Sequence, residues 1–424
     1  MFSTILKNKM IKNSMWIISE KILSIFGLIF VTSFVAKYIG PDNFGKLTLA
    51  ASLFTIIQTI ALFGSENIIF QKTSKNPKIG IKIIKATKNS RNILFTVSSL
   101  ILLVYLYFSV DKLTFIFSLA SCAAVFFSLH DVFSIYFNAV LESKINAFCN
   151  VLGITSSLIA RYVIAYWELN IEFLVIPIIL VSMIPFVIRR IIFNKRTIEF
   201  GIRYNEDRKY KKYMYNVGSK LVLYSLSIAI FTKTAQIFLG MKSVYDLGIY
   251  TVALTLGTSF YFVLVALISS FMTDIYQEVS VEKAQNKVAK LNLIVILISL
   301  FSFFFFLLFG KYIINVLYGE QFQQSNNILL WMVIVCMFSG LSTVAEKYLI
   351  KFNAYSYLQK KTNILLVINI LLTGIMINFF GLKGAVLSIL FTEIISTTIL
   401  NYFFRNGLVF NTHKKIFLWS TYFK

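Results

Sequence analysis

Residues Ser14–Glu66 read SMWIISEKILSIFGLIFVTSFVAKYIGPDNFGKLTLAASLFTIIQTIALFGSE. Two apolar runs flank a tight Gly-Pro-Asp-Asn turn at Gly40–Asn43. A hydrocarbon core of about 30 Å needs roughly 20 apolar residues of helix, so the stretch predicts a hairpin that crosses a bilayer twice. Each run carries an acid, Glu20 in the first and Glu66 near the end of the second. An ionisable side chain within a span is costly and marks function by default.

Working outward, the composition is of the same kind throughout. Apolar residues make up 58% of the chain, charged residues 14%, and the mean hydropathy is +0.76. A soluble domain is closer to half apolar and a quarter charged, so the chain reads as a polytopic membrane protein. With 43 Phe and only four Pro, it suits helices that satisfy their own backbone inside lipid. Cys122, Cys149 and Cys336 all lie in apolar runs without a CxxC, and read as packing residues, neither disulfides nor metal ligands. The N-terminal run is too long for a signal peptide, holds Glu20 and Lys21, and lacks a small-residue cleavage site; an uncleaved first span is expected.

Twelve spans are expected, near 14–36, 47–69, 92–110, 114–140, 146–167, 171–190, 214–240, 246–272, 291–310, 325–346, 362–380 and 384–404. Basic segments fall at the N-terminus, in 71–91, 189–212, 273–290 and 347–361, and at the C-terminus. Of the 41 Lys and Arg, only Lys37, Lys46, Lys112, Lys242, Lys311 and Lys383 fall on the opposite side, and Lys21, Arg161, Lys220 and Lys233 lie inside spans. The positive-inside rule then puts both termini in the cytoplasm. The net charge of +23 is accounted for by a positive face beside anionic lipid. No aromatic–basic nucleic-acid motif occurs.

The chain also repeats itself. YIGPDNFGKLTLA at Tyr38–Ala50 matches FLGMKSVYDLGIYTVA at Phe238–Ala253 once three residues are inserted, and KINAF at Lys144–Phe148 matches KFNAY at Lys351–Tyr355. Six spans separate the copies, so both halves keep one orientation, as in a parallel duplication. The expected fold is an all-α integral membrane protein of two six-helix lobes, 1–192 and 214–424, joined by a basic cytoplasmic linker at 193–213. Such a plan suggests a transporter with its substrate site between the lobes.

Three segments carry a family resemblance. YIGPDNFGKLTLA resembles the first-hairpin motif of the polysaccharide-flippase branch of the MOP exporters, whose other branches include MATE-like proteins. VLYGEQFQQSNNILL at Val316–Leu330 resembles the segment before that family's tenth span, and NILLTGIMINFFGLKGAVLS at Asn369–Ser388 resembles its late hairpin. The likeness covers nearly the whole chain and is nearest to Wzx-type O-antigen flippases. It implies export of undecaprenyl-pyrophosphate-linked oligosaccharide across a bacterial inner membrane by alternating access, alongside a polysaccharide polymerase and chain-length machinery. The matched segments are turns and transfer no catalytic residue; no cofactor is implied.

Polar side chains align on three helices. Asn13, Glu20, Ser24 and Gly27 share one face of the first, Ser121, Ser128, Asp131, Asn138 and Glu142 one face of the fourth, and Asn216, Lys220, Ser227 and Thr234 one face of the seventh. These stripes are expected to face a water-filled cavity. Arg161, Lys220 and Lys233 are the candidates to line it and hold a pyrophosphate, Arg bidentately and Lys as a point charge; the bland alternative is pairing with a nearby acid or snorkelling. Glu20, Asp131 and Glu393 are candidates for ion coupling, since a desolvated carboxyl can take up a proton on one side and release it on the other. Asp131 beside His130 forms a suggestive pair, whereas Glu66 more simply marks a helix end. A drug exporter of the same superfamily would favour an acidic chamber over a cationic one. An O-antigen polymerase or membrane glycosyltransferase would need a large loop or extra domain, yet the outward loops fall well below a domain's ~50 residues. A scaffold would have little use for charges inside spans.

Overall fold

Gly40 divides the first helix where the quoted hairpin turns. The computed structural model describes residues 9–197, 204–405 and 407–418; the side chains of 9–15, 17–26, 28, 204–207, 220 and 224 lie outside that description. Helix α1 (Lys9–Leu62) has 54 residues, roughly 80 Å at 1.5 Å per residue, far more than one bilayer. Gly40 interrupts it at φ 76°, ψ 171°, a backbone state essentially closed to residues with a Cβ. Pro41 follows, where a helix start leaves its missing N–H without consequence. Tyr38 anchors this turn by donating its hydroxyl to the Leu169 carbonyl. Beyond the break Lys46 pairs with Asp42 at 2.8 Å and with Asp111 at 3.3 Å. Burial pushes the Asp111 carboxyl up, but hydrogen bonds from Thr114 and Lys46 outweigh it and hold it below the usual carboxylate range.

Next come α2 (Ser65–Lys75), α3 (Pro77–Ala86), α4 (Lys88–Ser109), α5 (Lys112–His130), α6 (Phe133–Ala139), α7 (Ser143–Tyr166) and, after a 3-10 turn, α8 (Val175–Thr197). Helix α9 (Tyr204–Lys242) leads to α10 (Val244–Gly257), α11 (Tyr261–Gln277), α12 (Val281–Tyr318), α13 (Asn326–Ile350), α14 (Tyr355–Thr397), α15 (Ile399–Tyr402) and α16 (Leu408–Ile416). Among the described residues there is no strand. Nine helices there are long and apolar enough to cross a membrane, ten when α10 and α11, bent by 40°, count as one. Like α1, α14 is interrupted by a glycine, Gly381 at φ 54°, ψ −126°. The protein is thus an all-helical, multi-pass membrane protein.

Residues 71–91, expected as a basic loop, are helical instead. Asn76 caps α3 by accepting from the Lys78 N–H at 3.0 Å, with Pro77 at the first position. Lys75, Lys78 and Lys85 are exposed, while Ile81, Ile83 and Ile84 are buried. Charge alone read as loop, but the segment has an apolar face to bury. Each fully buried Ile or Phe is worth about 1.5–3 kcal/mol.

The chain forms two compact units, Met1–Ala229 and Ile230–Lys424. In the first, Ile68, Ile81 and Ile84 of α2 and α3 pack with Phe137, Phe193 and Met214. In the second, Ile268, Val288, Leu291, Val344 and Tyr348 of α11–α13 form the core. Two lysines close helix C-termini there, where carbonyls lack partners. Lys351 donates to the carbonyls of Ile275, Tyr276 and Glu278 at 2.9, 3.1 and 2.6 Å, and Lys242 to those of Ile377 and Asn378 at 2.9 and 3.2 Å.

Candidate functional site

Close helix packing in the first unit presents Arg161. Helix α7 approaches α1 so tightly that a Cβ on Gly27 would meet Leu158 at 2.4 Å, and one on Gly153 would meet Pro185 of α8 at 2.6 Å. Ser157 adds a hydrogen bond to the Pro177 carbonyl at 2.9 Å. From this packed helix the half-buried Arg161 donates through Nη1 to Thr32 Oγ1 at 3.3 Å. No carboxylate among the described residues forms an ion pair with it. Beside it runs a ladder of rings: Phe34 stacks on Tyr162 at 5.4 Å between centroids, and Tyr162 on Tyr166 at 5.6 Å. The two tyrosines are 50% and 63% exposed.

The second unit holds Lys233 and Glu393. Lys233, half-buried on α9, donates to Gln236 Oε1 at 2.9 Å one turn on, and it too has no ion pair among the described residues. Glu393 sits on the later half of α14, half-buried, accepting from Ser339 Oγ of α13 at 2.7 Å. A polar seam surrounds it: Ser342 meets Ser396 at 2.9 Å, the Tyr261 hydroxyl meets Thr343 at 2.9 Å, and Lys361 pairs with Glu346 at 3.1 Å. Such a seam keeps a carboxyl hydrogen-bonded among apolar helices without neutralising it by a bound cation.

Asp131 is placed differently from the other acids. It ends α5, and its two oxygens both accept from Nε of Arg189 on α8 at 2.9 Å, with Nη2 completing a bidentate pair. The remaining guanidinium hydrogens reach Asn146 Oδ1 at 3.2 Å and Asn150 Oδ1 at 2.8 Å. Asn146 in turn donates to the Ser134 carbonyl at 2.7 Å and to Asn138 Oδ1 at 2.8 Å. Arg189 is only 4% exposed, although the sequence placed it at the start of a cytoplasmic loop. His130 does not partner Asp131: its Nδ1 lies 2.7 Å from the Phe126 carbonyl and its Nε2 against the Asn92 side chain.

The other candidates fall as follows. Glu20 and Lys220 lie on helices, but their side chains are outside the described residues. Glu66 is exposed in the first turn of α2, where a carboxylate suits the helix dipole. Glu142 pairs with Arg196. The three cysteines are free, Cys149 and Cys336 buried. No cluster of three or more His, Cys, Asp or Glu that could hold a metal occurs among the described residues.

A family model described as "Polysaccharide biosynthesis protein" matches residues 34–327. Among solved structures, a lipid II flippase, MurJ, in an inward closed conformation superimposes with a TM-score of 0.70 at 14% identity, over 96% of this chain and 90% of that one. A multidrug resistance MATE family transporter of the MOP superfamily, inward-facing, gives a TM-score of 0.61 at 16% identity, over 91% and 93% of the two chains. At these identities the likeness establishes the fold, which is of the MurJ and MATE kind. Curated proteins give no match.

Proposed function

Because the chain belongs to the polysaccharide biosynthesis protein family, we propose that it is a flippase for lipid-linked oligosaccharide, working by alternating access. The observation that carries this reading is the match of that family over residues 34–327 on a fold otherwise seen in a lipid II flippase and a drug transporter. The substrate class is undecaprenyl-pyrophosphate-linked repeat units of O-antigen type. The membrane is a bacterial inner membrane with both termini cytoplasmic, in keeping with the charge bias. Counting the glycine-divided α1 and α14 as two spans each, and the bent α10–α11 pair as one, gives twelve spans. These group as two duplicated six-helix lobes, 1–192 and 214–424, about a basic linker at 193–213. The polysaccharide polymerase and chain-length machinery act downstream.

In this reading Arg161 and Lys233 offer the pyrophosphate cations that no carboxylate among the described residues neutralises, with Lys220 as a third. The exposed Phe34–Tyr162–Tyr166 ladder beside Arg161 presents flat amphipathic faces to sugar rings. Among the coupling candidates, Asp131 is saturated by Arg189, so coupling to H+ or Na+ falls to Glu393, held among the described residues by a neutral hydroxyl, and to Glu20. The MATE likeness keeps cation-coupled drug export as the second reading, against which stand the intramembrane cations.

Complementation tests the proposal. The gene is placed, with its cognate glycan-assembly enzymes, in a bacterium lacking its own polysaccharide flippase, and surface polymer is scored beside lipid-linked intermediate. Wild type should restore polymer, while Arg161→Ala or Lys233→Ala traps the intermediate inside. Equal restoration by both variants removes the cationic assignment. No restoration, despite good expression and intermediate present, favours drug export.

A further inference from the structure

One face of the first unit, apart from the residues above, carries a second feature built for a charged amphiphile. A cavity of about 440 Å3 at the basic ends of α4, α5 and α8 is lined by Lys85, Lys88, Arg91 and Arg190, and by no carboxylate. Lys88 and Arg190 are exposed, the Arg190 guanidinium lying 5.8 Å from the Phe186 ring centroid. Arg91 is only 3% exposed. Its Nη1 donates to Thr87 Oγ1 at 2.6 Å and its Nη2 to the Ile84 carbonyl at 3.4 Å, while its buried Nε has no hydrogen-bond partner among the described residues. A buried guanidinium with only neutral partners among the described residues, and one nitrogen without an acceptor there, is a charge awaiting an anion.

A further cavity lies along the same two helices. About 680 Å3 and mainly apolar, it is lined by Phe95, Ser99, Leu103 and Tyr107 of α4 with Phe115 and Cys122 of α5. Steps of three or four residues link Lys88, Arg91, Phe95, Ser99, Leu103 and Tyr107, so basic and apolar parts share one face of α4. On α5 Phe115, Cys122, Phe126 and His130, at steps of seven, four and four, likewise share a face. Phe95 to Tyr107 spans roughly 18 Å of helix, a little more than one leaflet of a hydrocarbon core about 30 Å thick. The groove is open sideways, with Leu100 60% and Val104 52% exposed.

We propose that this face seats an anionic phospholipid, its phosphate in the basic cavity and one acyl chain along the α4–α5 groove. Charge complementarity selects the head group: basic pockets between spans on the positive side suit anionic lipid heads. The leaflet-length groove selects the tail, and its lateral opening admits lipid from the bulk membrane.

The test uses the purified full-length protein in neutral detergent, titrated with phosphatidylglycerol or phosphatidylcholine and read by native mass spectrometry. A cation near an anionic lipid contributes about a fivefold gain in affinity, so the Lys88→Gln/Arg190→Gln double variant should bind phosphatidylglycerol about 30-fold more weakly. Phosphatidylcholine retention and melting temperature should not move. Leu103→Trp, which fills the groove, should also weaken phosphatidylglycerol binding with both cations in place. Unchanged phosphatidylglycerol binding in the double variant overturns the proposal. So does displacement by an equal concentration of inorganic phosphate, which assigns the site to a free anion, or one-way displacement by a polyprenyl phosphate, which assigns it to a carrier lipid.

Discussion

Arg189→Met is the substitution that most directly tests how the first unit holds together. Arg189 and Asp131 have side chains only 4% and 9% exposed, so neither can turn to water when its partner is lost. Removing the guanidinium deprives Asp131 of two contacts at 2.9 Å and of the bond from Nη2, and takes from Asn146 and Asn150 the hydrogen bond each receives from it. A buried ion pair broken on one side loses about 3–5 kcal/mol, because the surviving charge is stranded. Asp131→Asn strands the Arg189 cation but should fall at the low end of that range, about 3 kcal/mol, since Arg189 keeps the amide oxygens of Asn146 and Asn150. The double variant Asp131→Leu/Arg189→Met removes both charges and should recover most of the loss, as apolar replacements of buried pairs commonly do.

The assay is the temperature at which the detergent-solubilised protein ceases to elute as a monodisperse peak, compared across wild type, both singles and the double. The expected order from most to least stable is wild type, double, Asp131→Asn, Arg189→Met. An Arg189→Met protein as stable as wild type, or a double variant as unstable as Arg189→Met, refutes the reasoning. A transport readout separates clamp from coupling: as a clamp, Asp131→Asn still translocates substrate with its ion dependence intact.

Three further outcomes are expected. Gly384→Ala should destabilise the second unit by about 3 kcal/mol, measured by the same elution assay, because a Cβ there would lie 1.9 Å from the Met376 carbonyl oxygen across the Gly381 turn. His413, on α16 outside the spans, is pushed down to about 4 by burial and meets the Tyr402 hydroxyl through Nδ1 at 2.9 Å. A depressed histidine stabilises above its unfolded value near 6.5 and loses that contribution as pH falls toward 4, so amide exchange in α16 should accelerate across that window and His413→Phe should flatten the profile. Glu393→Gln, which keeps a partner for Ser339, should leave substrate binding in place but abolish accumulation against a gradient. Accumulation persisting in that variant places coupling on another group.

What could be read from the sequence, and what could not, divides by range. The hairpin turns at Gly40 and Gly381 were legible because a positive φ and the length of a span are local properties of a few residues. Pairings were not. Arg189 meets Asp131 from 58 positions away and Arg161 meets Thr32 from 129, and nothing in the spacing of either helix names the other. His130 beside Asp131 misled for the same reason: at a helix end, neighbours in sequence point apart, and each finds its partner on another helix. The charge census carried the deeper bias. It sorted Arg91, Arg189 and Lys361 with basic connecting segments, yet they are 3%, 4% and 3% exposed. Hydropathy ends a span at its first cation, whereas the helix itself runs on, and long aliphatic stems let that cation fold back against the bundle. A count of Lys and Arg therefore does not assign contact with water. The cations it places at the edges of spans are where buried ion pairs such as Asp131–Arg189, and anion seats such as the one around Arg91, are to be sought.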